Sequence, residues 1–283
     1  MQRGTAVITD STADLSVELQ EANGITVVPL NVHFGQESYR DRVDISPDEF
    51  MAKMSTSDRL PTTSQPSVGA FEEAFRACIG TYSEVVCPVI SSRLSGTCQS
   101  ATLAAAAVAD HIPVTVVDTF SVSAGLGLQA IHAARLAEDG KSAEEIATTL
   151  RAETYRHHIV FFVETLEHLR RGGRVGKAAQ LLGSMLQLRP LLRVEEGQIV
   201  PYERTRTRSK AIAAVVEFTR EFDSIDDATV LYNTTREDAE ALAAEIATVM
   251  KVESILTIQA GPVVSAHVGP GILGVALKEA ARV

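Results

Sequence analysis

The chain has 283 residues, 45% hydrophobic and 22% charged, with a formal net charge of −10. That length and composition suit a globular protein of two modest domains, and the acidic balance speaks against broad affinity for nucleic acid or anionic membranes. No window reaches the roughly 18 apolar residues of a membrane span, and no basic segment followed by an apolar core opens the chain, so a cytoplasmic protein is expected.

In chain order, Thr5–Thr9 reads as a strand that ends in the polar loop Asp10-Ser-Thr-Ala-Asp14 and feeds a helix near Leu15. A second strand is expected over Thr26–Phe34, turning at Gly35 into a short return at Ser38-Tyr39. Ser46-Pro-Asp-Glu49 is a capping box with proline at the first helical position, so a helix runs on from Pro47. Arg59–Ser67 is a loop rich in Pro, Ser and Thr, followed by a helix with Phe71, Ala74, Phe75 and Cys78 on one face. The apolar run Val85–Ile90 is a strand, Ser91–Thr97 a hydroxyl-rich loop, and Cys98–Ala109 an alanine-rich helix. Val114–Val117 is the next strand; helices follow over Val122–Ala137 and from the capping box Ser142-Ala-Glu-Glu145. Alternating strands and helices call for a parallel sheet covered on both faces.

A boundary is set near residue 155. Beyond it, Ile159–Val163 reads as a strand, Thr165–Arg171 as a helix stopped by Gly172-Gly173, and Lys177–Leu188 as a helix bearing Leu181, Leu182, Met185 and Leu188. Pro190–Val194 and Gln198–Glu203 form a hairpin turning at Glu196-Gly197. Helices are expected over Ser209–Phe222 and Arg236–Met250, strands over Thr229–Asn233 and Ser254–Gln259, then a Gly-rich turn, His267-Val-Gly-Pro-Gly271.

Several chemistries lack their residues. There is no G-x-x-x-x-G-K-[ST] phosphate loop, no H-E-x-x-H or dense His/Cys group for a metal, and no G-x-S-x-G elbow. Gly125-Leu-Gly-Leu-Gln-Ala130 has the letters of a dinucleotide fingerprint, but its first glycine stands several residues after the strand end at Asp118, so these glycines read as close-packing positions in a helix. Cys78, Cys87 and Cys98 form no C-x-x-C pair and read as buried or reduced thiols.

What remains is a pair of hydroxyl clusters, Thr62–Ser67 and Ser91–Thr97, each placed just before a helix. A strand that ends in Ser/Gly and feeds a helix leaves backbone N–H groups at the positive end of the helix dipole, a site for a small anion. The bland reading is that these are ordinary caps and turns, as Asp10 and Asp14 are. His267 reads either as a core imidazole or as a donor facing a cleft. A serine hydrolase or acyltransferase acting on a lipid-like substrate, with Ser92 or Ser95, His267 and Asp10 or Asp118, is a rival that no spacing selects. A binder of another anionic small molecule is a second.

Five stretches carry a more specific resemblance: Asp10-Ser-Thr-Ala-Asp-Leu15, Thr63-Ser-Gln-Pro-Ser67, Ser91-Ser-Arg-Leu-Ser-Gly-Thr97, Leu166-Glu-His-Leu-Arg-Arg-Gly-Gly-Arg174 and His267-Val-Gly-Pro-Gly271. In this order, over essentially the whole chain, they resemble the motifs of the DegV family, which includes the fatty-acid-binding (FakB-type) subunits of bacterial fatty acid kinase. The resemblance implies two α/β domains, 1–155 with a mostly parallel sheet and flanking helices and 156–283 with a mixed sheet and helices, and a lipid tunnel between them. It implies a long-chain fatty acid as ligand, no cofactor, no metal, and no stand-alone catalysis. An ATP-dependent kinase subunit would convert the presented carboxylate to an acyl phosphate. No nucleic acid or membrane span is expected, though transient membrane contact is compatible with such a role. Thr63 and Ser95 would donate hydroxyls to the carboxylate, Gly96 and Thr97 backbone N–H groups, with Ser92 and His267 beside the head group. Arg174 and Arg206 match family positions that meet the kinase. Thr119 and Cys98 depart from the commoner serine and aromatic residues and leave chain length and unsaturation open.

Overall fold

The computed structural model describes residues 3–181 and 189–281. Strands β1 (Arg3–Asp10), β2 (Ile25–Val28), β6 (Tyr82–Val89) and β7 (Val114–Asp118) form a four-stranded, all-parallel sheet in the order β2-β1-β6-β7. Its strands are continuous apolar runs because both faces are covered. Ile8, Val85, Cys87 and Val89 pack on Phe71 and Phe75 of α3 (Val68–Arg76) and on Ala101 and Ala104 of α4 (Thr97–Val108). The alternate residues Val7 and Val86 pack on Leu126 of α5 (Ala124–Glu138) and on Ile146 and Leu150 of α6 (Ala143–Glu153). The short helix α1 (Val17–Asn23) joins β1 to β2.

A small antiparallel sheet, β4-β3-β5, holds β3 (Asn31–Phe34), β4 (Glu37–Arg40) and β5 (Thr62–Ser64). The single strand expected over Thr26–Phe34 is therefore two, in two sheets. Pro29, with no N–H to give a ladder, stands at the break. Part of the expected 59–67 loop is β5. Helix α2 (Pro47–Thr56) follows the expected capping box: the Ser46 hydroxyl accepts from Glu49 N–H, and Glu49 accepts from Ser46 N–H. Ser142 and Glu145 do the same for α6.

The second half builds a six-stranded mixed sheet in the order β10-β9-β8-β13-β11-β12, from β8 (His157–Phe162), β9 (Arg189–Glu195), β10 (Gln198–Thr205), β11 (Ile225–Tyr232), β12 (Leu256–Gln259) and β13 (Leu273–Glu279). β9 and β10 form the expected hairpin, with Glu196 and Gly197 both at positive φ in its turn. Strand β13 lies near the sheet's centre, where the sequence reading stopped at a Gly-rich turn. The two-residue period of β8 divides its side chains. Val160 and Phe162 pack under α8 (Arg208–Thr219) and α9 (Arg236–Met250), whereas Ile159 and Phe161 face the other way. On that other face lie α7 (Glu167–Arg171) and α10 (Pro262–Val268), the latter ending in Gly269. Of the helix expected over 177–188, the described part belongs to a 3-10 segment, Gly176–Leu181; the rest, with Leu182, Met185 and Leu188, lies outside the described residues. No helix among the described residues is long and apolar enough to cross a membrane.

Gly125 and Gly127 do allow close packing. A side chain on Gly125 would meet Ile159 Cδ1 at 2.4 Å and one on Gly127 the Ala13 carbonyl at 2.7 Å, so α5 lies hard against both halves of the chain.

Candidate functional site

A cavity of about 300 Å³ opens on the face of the six-stranded sheet turned away from α8 and α9. Ile159, Phe161, Leu169, Leu231, Val264 and Val268 give it an apolar wall. Its polar wall comes from six places in the sequence: Thr12; Thr63, Ser64 and Gln65; Ser95; Ser123; Arg174; and His267. Dominantly apolar lining with a few convergent polar groups is the usual make-up of a small-molecule site.

Thr63 and His267, separated by 204 residues, meet at 2.8 Å between Oγ1 and Nε2. The small antiparallel sheet is what brings them together: Val32 of β3 and Val263 and Ala266 of α10 share one core with Phe50 and Met54 of α2. His267 thus sits on a helix, not in the Gly-rich turn expected from the sequence. Gly261-Pro262 is the missed signal, since proline at the first helical position marks a start. Burial, and then the nearby Arg174 guanidinium, push the His267 imidazole down to about 4, so it is neutral at pH 7. Its Nδ1 has no hydrogen-bond partner among the described residues. Gly172 makes room for that atom, because a Cβ there would stand 2.2 Å from it.

Ser95 lies in the turn between β6 and α4. Its Oγ is 2.8 Å from the buried Thr97 Oγ1 and accepts the Thr97 backbone N–H at 3.3 Å. The Thr97 N–H, expected to meet a ligand, is thereby engaged within the chain. Gly96 is the N-cap of α4 with no side-chain bond of its own, and Gln65 lies across it: a Cβ on Gly96 would be 2.4 Å from Gln65 Oε1. Ser92 is exposed and does not line the cavity; its N–H donates to the Asp118 carboxylate at 3.2 Å. Arg174 lines the cavity instead of standing free on the surface, donating from Nε to the Leu94 carbonyl at 3.0 Å and from a terminal nitrogen to the Gly172 carbonyl at 2.7 Å. Arg206 is exposed, after β10. Asp118, offered for a triad, holds the N–H groups of Ser92 and Phe120.

The loop bearing Ser95 is pinned across the halves, since the Ser91 hydroxyl donates to the Gly197 carbonyl in the β9–β10 turn at 2.8 Å. The sequence reading missed the apolar wall from β8, β11 and α10, and the hydroxyls of Thr12 and Ser123. Thr12 donates to the Asp10 carboxylate at 2.5 Å and Ser123 to that of Asp14 at 2.6 Å. No group of three or more His, Cys, Asp or Glu side chains able to hold a metal occurs among the described residues.

The profile of the DegV family, described as "Uncharacterised protein, DegV family", matches residues 4–280. The chain belongs to the DegV family. A DegV domain-containing protein of Halalkalibacterium halodurans is 38% identical over 273 residues, covering 95% of this chain and 96% of that protein. Among solved structures, a DegV family protein of Thermus thermophilus described for its fatty acid binding is 37% identical, with a TM-score of 0.89 over 99% of this chain and 100% of that one. A stearic-acid-binding protein of Eubacterium ventriosum is 28% identical, with a TM-score of 0.89 over 97% and 98% of the two chains. DegV structures therefore share this fold and include fatty-acid binders.

Proposed function

We propose that this DegV protein binds a long-chain fatty acid, buries the acyl chain in the cavity and presents the carboxylate to an ATP-dependent kinase subunit for acyl phosphate formation. The observation that carries the reading is the state of the two cavity-facing hydroxyls. With the His267 proton on Nε2, that N–H donates to Thr63 Oγ1; Ser95 Oγ accepts from the Thr97 N–H, and the Thr97 hydroxyl lies within reach of it as well. Each oxygen then accepts from the protein, and with Thr97 as donor to Ser95 each O–H is left for a ligand that only accepts. A carboxylate is such a ligand. This tautomer also leaves a lone pair, not an N–H, at the unpartnered His267 Nδ1, the cheaper of the two to bury.

The apolar wall supplies affinity. An acyl chain of ~14 methylenes gains roughly 11 kcal/mol gross at ~0.8 kcal/mol each, reduced by the costs of association and ordering. Neutral donors fix the head without burying a second charge and leave a carboxylate oxygen able to attack a phosphoryl group. In this reading residues 1–155 and 156–283 are two domains meeting at the cavity, Ser92 has no direct contact with the head group, and Arg206 is the docking residue. Arg174 acts mainly within the cavity.

The test is a lipid extract of the purified protein, followed by incubation with ATP and a fatty acid kinase subunit and trapping of the acyl phosphate with hydroxylamine. A co-purifying long-chain fatty acid and an ATP-dependent hydroxamate are expected. A serine-reactive fluorophosphonate that labels the protein, with labelling lost in Ser95→Ala, would replace this reading by the hydrolase.

A further inference from the structure

Behind the cavity, three carboxylates and one guanidinium crowd together. Asp10, Asp14 and Asp41 are each no more than 1% exposed. Asp10 is fully engaged, accepting from Thr12 and from the Ile90 N–H at 2.7 Å. Asp41 Oδ2 accepts the Ser11 hydroxyl at 2.7 Å, while its Oδ1 and Arg42 Nε have no hydrogen-bond partner among the described residues. Asp14 reaches across the molecule. Its Oδ1 accepts the N–H of Gly261, the N-cap of α10, at 2.7 Å, and Oδ2 takes the hydroxyl of the cavity-lining Ser123. Arg42, 3.7 Å from Asp14, donates to the Gln259 carbonyl two residues before that cap. A Cβ on Gly261 would lie 2.9 Å from both Arg42 Nε and Asp14 Oδ1 and 3.1 Å from Asp41 Oδ1, so all three atoms converge on the first turn of α10.

We infer that Asp14 is the positioning residue of the head-group corner: backed by Asp41 and Arg42, it holds the N-terminus of α10 and so sets His267 against Thr63, while the cluster's charge governs how well an anion is tolerated in the cavity. This extends the fatty-acid reading and rests on it for the choice of ligand.

Three carboxylates against one guanidinium would leave two buried negative charges uncompensated, and the cluster relieves this by keeping a proton. Burial and then neighbouring Asp14 push Asp41 up to about 7; burial pushes Asp14 up to about 6, despite Arg42, Ser123 and the Gly261 N–H; burial raises Asp10 as well. The other groups nearby are the Cys87 thiol beside Asp10, kept neutral by burial, and Asp48, which accepts from the Gln259 side chain. His267 stands at the far end of α10. Raising the pH from 6 to 8 therefore adds negative charge behind Ser123 and weakens anion binding.

The probe is hexadecanesulfonate, whose head group stays ionised throughout this range. Wild type is expected to bind it about fivefold more tightly at pH 6 than at pH 8, a modest coupling. Asp41→Asn should keep only the smaller part of the pH dependence that Asp14 contributes, and His267→Gln should bind more weakly but with the slope retained. A flat wild-type profile, or a slope that is undiminished in Asp41→Asn and vanishes in His267→Gln, overturns the assignment. If the sulfonate binds at no pH, the lipid-anion reading has failed, and two ligand-free measurements decide this one. A raised carboxylate contributes stability that is full below its unfolded value of 3.8 and lost as pH climbs through the folded value, so Asp41→Asn must gain on wild type in Tm between pH 5 and pH 8. By NMR, Asp14→Ala should move the His267 titration upward from about 4, and Asp14→Asn, which can still accept the Gly261 N–H, should restore it. A constant Tm gap, or a His267 titration indifferent to both Asp14 variants, overturns the inference.

Discussion

Glu153 and Asp14 both tie the first half of the chain to the second, in opposite electrostatic surroundings. Glu153, at the end of α6, faces Lys278 Nζ at 2.8 Å, Arg156 at 2.7 Å and His132 at 3.1 Å. Arg156 in turn pairs with Asp226 at 2.7 Å and donates to the Glu279 carbonyl at 2.8 Å. Burial alone would raise Glu153, yet these cations outweigh it and leave it below the ordinary carboxylate range. Asp14 has one guanidinium at 3.7 Å and two buried carboxylates for company, and burial wins. Charge is matched at the junction whose lining is not part of the cavity and left unmatched beside it. A carboxylate that titrates near neutrality can couple the cavity to its surroundings; one fixed by Lys278 and Arg156 cannot.

The largest effect that bears on this contrast is expected at Glu153. Removing it in Glu153→Ala leaves Lys278 and Arg156 without their shared partner, and breaking a partly buried network of this kind costs about 2 kcal/mol, less than the full penalty because Glu153 keeps 19% of its side-chain exposure. Urea unfolding should show the loss while lipid affinity measured on the folded protein stays unchanged. A large fall in affinity would break the contrast, since it would make both junctions part of the site.

Next comes Gly172→Ala. The added methyl would lie 2.2 Å from His267 Nδ1, so the imidazole must shift away from Thr63. Overpacking of this order costs about 1.5 kcal/mol. The expected readout is an upward move of the His267 titration together with roughly tenfold weaker binding of a fluorescent fatty acid, at about 1.4 kcal/mol per decade of affinity. Thr63→Val keeps the shape and removes one donor to the proposed carboxylate. A hydrogen bond to a charged group is worth about 1.5 kcal/mol, so affinity should fall comparably for the acid but not for its methyl ester. Equal losses for both would show that Thr63 contributes packing alone.

The sequence made the parallel sheet legible because β1, β6 and β7 are apolar runs punctuated by Ser, Asp and Gly, and the two capping boxes fixed where α2 and α6 begin. Thr63, Ser95 and His267 were legible through their motifs and the resemblance these carry; their convergence was not. It depends on β3 and β5 pairing through residues 31–34 and 62–64, and on a seven-residue helix, α10, too short to show periodicity. The buried acids were read as a turn and a cap, and they are: Asp10 caps the 3-10 turn Ser11–Ala13, and Asp14 closes it at φ 55°. What no local pattern could reveal is that Asp41 and Gly261 come to the same point from 27 and 247 residues away along the chain from Asp14. Arg174 shows the reverse. Placed by the resemblance among the residues that meet the kinase, it is folded back on the carbonyls of Leu94 and Gly172.

That placement decides how the proposed kinase contact should be tested, where the smallest effect on the protein itself is expected. Arg174→Ala would disturb the cavity and the field on His267 together, so a loss of acyl phosphate in that variant would say nothing about docking. Arg206 is exposed and forms no ion pair or hydrogen bond with the described residues, so Arg206→Ala should leave unfolding and lipid affinity unchanged. An exposed rim charge acts chiefly on the rate of encounter, so kinase-dependent acyl phosphate formation should fall severalfold at low salt, and the difference from wild type should shrink as ionic strength rises. A deficit that ignores salt would mean that Arg206 is buried on docking, in a contact closer than electrostatic steering. No deficit at any salt would remove the basic segment from the partner surface altogether.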